Sequence, residues 1–127
     1  MKDPEHRRST ITKAADGEGK FIRNSGAQPH YGHVVVRVEP NGRGLGISIT
    51  KDVSGTAVPE RYLKSVADGL NEALRDGVVP GRSVVDIIVR IVGGSFHETE
   101  SSEIDFKMAA IFALKDAMKN AEPIAIE

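Results

Sequence analysis

Apolar residues recur at every second position in "HVVVRVE", residues 33–39, which sets Val34, Val36 and Val38 against Val35, Arg37 and Glu39. A period of two predicts a strand with one buried face. "KFIRNS" ahead of it has short strand character. After the turn cluster "PNGRG", the stretch "LGISITKDV" places Leu45, Ile47 and Ile49 on one face of a third strand. Pro59 suits a first helical position, and Leu63, Val66, Leu70 and Leu74 then keep helical spacing until Gly77, predicting a helix over residues 60–76. "SVVDIIVRIV" is too apolar and β-branched to be half solvated and reads as a central strand. The polar loop "GGSFHETESS" follows. Ser101 or Ser102 caps a last helix in which Ile104, Met108, Ile111 and Leu114 or Lys115 recur at steps of three and four. The predicted order is β, β, β, α, β, α.

If each element runs back against its predecessor, as short connections require, the loops at residues 25–31, 53–59 and 93–100 all arrive at one end. This places His30 and His97 as neighbours in a composite polar tip, with turn-forming residues at the other end. Residues 1–16 are polar and without period, which fits a flexible linker or a strand leading into the fold. The domain proper is expected at residues 17–127.

Composition narrows the class. A chain of 127 residues, 39% hydrophobic and 28% charged, has room for one soluble domain. A net charge of -1 excludes a surface that attracts nucleic acid by charge everywhere. The absence of cysteine excludes disulfides and thiolate metal sites. The first residues carry no apolar signal stretch, and no window approaches the roughly 20 apolar residues of a membrane span, so a cytoplasmic, non-membrane protein is expected.

Catalytic patterns mostly fail. "ADGEGKF" has Ala14 where a phosphate-binding loop needs its first glycine and Phe21 after the lysine; "GRGLGI" lacks the third glycine of a dinucleotide turn. His97-Glu98 opens like a metalloprotease helix, but Ser101 stands where the second histidine belongs. In "GGSFH", His97 replaces the glycine of a hydrolase elbow, and Ser95, His97 and an aspartate make a triad only on paper without an oxyanion hole. No catalytic residue, metal or cofactor is expected. His33, opening a strand, reads as a hydrogen-bonded structural histidine. Tyr31 reads as packing under the loop. Glu98, Glu100 and Glu103 read as charges that solvate a loop and favour a helix N-terminus. Asn24, Gln28, His30 and His97 are candidate loop contacts.

Together these segments resemble a known family. "EGKFIRNSGAQPHYGHVVVRVEP" looks like the opening of domain IV of bacterial elongation factor G, and "GVVPGRSVVDIIVRIVGGSFHETESSEIDFKMAAIFALKDAMKNAEPIAIE" like its second half. The carriers are Tyr31-Gly32-His33-Val34, Val84-Val85-Asp86, Gly94-Ser95, His97, Ser101-Ser102-Glu103 and Phe106-Lys107. The resemblance implies an α+β fold like the second domain of ribosomal protein S-five: βββαβα order, a four-stranded sheet with two helices on one face, and a left-handed βαβ crossover. It implies an RNA-contacting, ribosome-binding domain of a translation factor, whose tip probes the decoding region of the small subunit while tRNA and mRNA move. Carried over by position, the tip is Ser25, Gly26, Ala27, Gln28, Pro29 and His30 in one loop and His97 and Glu98 in the other. GTP would enter only through domains absent from this chain, expected to be an excised domain or a free-standing relative that is not itself an enzyme.

Where the family usually reads Gly-Gly-Arg-Gly-Gln, this chain has Gly26-Ala27-Gln28-Pro29-His30. A fixed cation is lost at Gln28 and a stiffening proline gained at Pro29, which marks a divergent member. The alternative reading is an interaction module that keeps the fold, binds protein by a helix face or sheet edge and is indifferent to its tip. A third, an enzyme of the same broad fold class, needs a nucleotide or metal site.

Overall fold

The strand predicted from the valine alternation is the spine of the molecule. In the computed structural model, which describes residues 8–23, 29–53, 57–76, 78 and 83–126, the strands β1 (Arg8–Thr10), β2 (Ala15–Arg23), β3 (His30–Pro40) and β4 (Ser48–Lys51) come first. Helix α1 (Glu60–Asp76), strands β5 (Ser83–Val84) and β6 (Ile87–Ser95), helix α2 (Glu103–Ala121) and strand β7 (Ile124–Ile126) follow. A four-stranded sheet runs β2-β3-β6-β4, antiparallel except that β4 and β6 are parallel and joined through α1. Its strands and the two helices follow the β, β, β, α, β, α order. The three shortest strands form a second sheet, β5-β1-β7, in which the first and last strands of the chain pair antiparallel.

Val34, Val36 and Val38 of β3 and Ile87, Val89 and Ile91 of β6 are wholly buried against Leu63, Val66 and Leu70 of α1 and Phe106, Ala110 and Leu114 of α2. The alternate residues Val35, Arg37 and Glu39 are only half-buried, so the sheet keeps one open face. There Arg37 bonds Asp16 and Glu39, and Arg90 bonds Glu39 and Asp52, a lattice that satisfies its own charges.

Five differences from the expected elements follow. The strand expected at "KFIRNS" begins earlier, at Ala15, and includes Gly17 and Gly19. These glycines look like loop residues, but a Cβ on Gly17 would collide with the Ala113 carbonyl oxygen, and one on Gly19 with that of Ala109. They are where the helix rests on the sheet. The buried side of α2 correspondingly carries Ala109, Ala110, Ala113, Ala117 and Ala121, while Ile104, predicted to face the core, is 54% exposed. Small residues on both surfaces let the backbones approach, while Ile104 and Phe112 lie on the outer side of the helix.

The third strand is shorter than expected because residues 41–46 form a turn held by Asp86, whose carboxylate accepts from the Gly44 and Gly46 N–H groups at 3.1 and 2.8 Å. Leu45, expected on the buried face, is 71% exposed. Both glycines have φ near +80°, a conformation that suits glycine. Asp86 itself has φ of 55° and divides the predicted central strand into β5 and β6. Pro59 sits one residue before α1 instead of at its first position, and its carbonyl accepts the Leu63 N–H at 3.1 Å.

Candidate nucleic-acid interface

The ends of the strands show which loops meet. His33 pairs with Ser95 at the close of β6, and Lys51 at the end of β4 pairs with Ile91. The loops after β2, β4 and β6 therefore leave from the same end of the sheet. Tyr62, on the first turn of α1, donates its hydroxyl to the Ser101 carbonyl at 3.1 Å and ties the helix to that end. Of the residues singled out in sequence, Pro29, His30, His97 and Glu98 belong to this tip; Ser25, Gly26, Ala27, Gln28 and Asn24 lie outside the described residues.

His30 and His97 share one end of the sheet, as loop counting predicts, but lie on opposite sides of β3. Alternation along β3 turns His30 toward α2, where its Nδ1 lies 2.7 Å from a carboxylate oxygen of Asp105. Tyr31 faces the other way, with its ring 6.3 Å from that of His97. His30 is thus an anchored side chain, 31% exposed, in place of the solvated loop residue its sequence context suggests. His97 and Glu98 are exposed, with His97 facing Glu100 at 3.3 Å.

Asp105 is the residue that sequence reasoning missed. Its side chain has no solvent exposure and accepts from the Tyr31 N–H at 3.2 Å as well as meeting His30. The signal was present: Asp105 stands three residues after Ser102, which caps α2 by accepting the Asp105 N–H. A carboxylate at that capping-box position usually reaches back to the cap. Here it reaches across to β3.

Ser101 completes the connection between the loops. Its hydroxyl donates to the Tyr31 carbonyl at 2.8 Å and accepts from the His97 N–H at 2.8 Å. One side chain thereby joins the flank of the first tip loop to the second. Beneath it, Ser95 Oγ lies 2.8 Å from both the Tyr31 hydroxyl and His33 Nδ1, and His33 Nε2 lies 2.6 Å from Glu18. Ser95 meets His33 and Tyr31, not the His97 with which a triad was drawn. The bond from His33 holds the Glu18 carboxyl below its ordinary range, with Lys20 adding to the effect. Glu18, His33, Ser95 and Tyr31 cross three strands of the sheet and set the Tyr31 ring where it supports His97.

A two-layer α+β domain with polar side chains gathered at one end of its sheet has the form of a translation-factor domain. The family model of elongation factor G, domain IV, matches residues 6–122, and the chain belongs to that family. It is 42% identical over 120 residues to elongation factor G of Aquifex pyrophilus, covering 94% of this chain and 17% of that protein's length. A crystal structure from Thermus thermophilus superposes with a TM-score of 0.86 at 33% identity over 98% of this chain and 18% of the other. Among the described residues, no helix is long and apolar enough to cross a membrane.

Proposed function

We propose that this domain enters the decoding region of the small ribosomal subunit and touches RNA there with its tip while tRNA and mRNA move. The observation that carries the reading is the Ser101 clasp, which ties Tyr31, at the start of β3, to His97 in the second tip loop before any partner arrives. A second loop already fixed against β3 binds without the entropy cost of ordering it. Short donors and acceptors at Ser25, Gly26, Ala27, Gln28, Pro29, His97 and Glu98 suit the shallow minor groove of RNA, where shape and hydrogen bonds outweigh a broad charge field. His30 serves by positioning the chain. The domain needs no cofactor of its own; GTP acts through other parts of a longer cytoplasmic factor.

The test is an NMR titration of isotope-labelled chain with purified small ribosomal subunits at low salt. The expected result is loss of amide signals at His30, Tyr31, His97 and Glu98, abolished by Gln28→Ala combined with His97→Ala. Changes confined to the outer face of α1 or to β4 would overturn the reading.

A further inference from the structure

One aromatic residue of α2 lies partly outside the core, beside the tip. Phe112, on α2, is 39% exposed, and its ring lies 6.3 Å from that of half-buried Phe21 on β2. Phe21 in turn lies 5.6 Å from the His30 ring, and the Arg23 guanidinium sits 5.2 Å above the Phe21 ring. Arg23 is exposed and makes no ion pair with another described residue. Three rings and a cation therefore line one flank of the domain, with His30 shared between flank and tip.

We infer that this flank is a stacking ledge for an unpaired nucleotide of single-stranded RNA. A guanidinium already laid over an aromatic ring offers its outer face to a base and its N–H groups to the adjoining phosphate. Phe112 adds an apolar surface, and stacking on such surfaces tolerates any base because each has a π-face. The cation favours a polyanion over a neutral apolar segment. Continuity through His30 lets one strand run from the tip down the flank. The inference extends the proposed RNA role, but rests on different residues.

The probe is a single-stranded RNA hexamer, compared with the same hexamer carrying abasic central positions, titrated into the full chain at low salt. Aromatic signals of Phe21 and Phe112 and amide signals of the tip are followed together. Phe112→Ala is expected to weaken binding at least about fivefold while the domain keeps a cooperative melting transition. The abasic hexamer is expected to bind as weakly to the unsubstituted chain. Arg23→Lys, which keeps the charge but not the planar stack, is expected to weaken binding as well.

Equal affinity for the two hexamers would reduce the contact to phosphate attraction and overturn the ledge. So would silent Phe21 and Phe112 signals, or a preference of the same surface for an apolar peptide over RNA. Shifts at His97 and Glu98 alone would retain the tip and reject the ledge; shifts at Phe21 and Phe112 alone would retain the ledge and count against the tip.

Discussion

Asp105 binds a backbone N–H and an imidazole from a position without solvent, so its removal strands both partners. Leaving buried polar groups unpaired costs about 1–3 kcal/mol each, and Asp105→Ala should lose stability on that order. Glu98→Ala, on the exposed loop, should stay within about 0.5 kcal/mol. Thermal melts of the two variants decide the matter; equal losses would show that Asp105 does not hold the tip. His30→Ala, near neutral if His30 were solvated, belongs with Asp105 because it removes half of the same pair. Sequence showed the polarity of these loops but not their partners, since the bond from residue 30 to residue 105 leaves no trace in local periodicity. Asp86 carries a pH dependence. Bonds from the Gly44 and Gly46 N–H groups, assisted by Arg8 and Arg43, hold its carboxyl below the ordinary value. The folded form therefore binds fewer protons than the unfolded one in acid. That contribution is complete above the usual carboxylate pKa of about 3.9 and is lost as pH falls through the lower folded value. Asp86→Asn, which tolerates the same positive φ, should flatten the acid limb of a urea-midpoint profile between about pH 5 and about pH 2.

At the scale of elements, the contact between α2 and the sheet depends on what is absent from the side chains. Gly17, Gly19 and Gly32 face Ala117, Ala109 and Asp105 of the helix across gaps a Cβ would close. Gly19→Ala should push α2 off the sheet and cost at least the roughly 1–3 kcal/mol typical of overpacking, read from urea denaturation. A loss below about 0.5 kcal/mol would mean that the backbone yields freely there. The same contact explains which elements were legible. The valine alternation of β3 and the leucine spacing of α1 announced themselves because large side chains make those interfaces. β2 was half hidden because glycine is a poor strand former, and the buried alanines of α2 were outvoted by exposed Ile104 and half-buried Met108 and Ile111. β1, β5 and β7 are at most three residues long, too short for any period, and exist only through pairing between distant segments.

The whole molecule separates a part that must be intact from a part that can vary. Val36 has no exposure and lies at the middle of β3, so Val36→Asp should leave an unpaired charge in the core and abolish the cooperative melting transition. A variant that still melts cooperatively near the original temperature would show that the sheet has another core. The second tip loop, by contrast, is tied to β3 through the Ser101 side chain, which is why the overall order of elements could be read from sequence while the clasp could not.

The pairing of β1 with β7 has a mechanical meaning. Arg8 lies opposite Ile126 and Thr10 opposite Ile124, so tension applied at residues 8 and 126 falls first on one pair of residues and then on the next, as in opening a zipper. Such a seam parts at low force. The domain would yield at its base, like a fuse, while β3 still carried an undeformed tip.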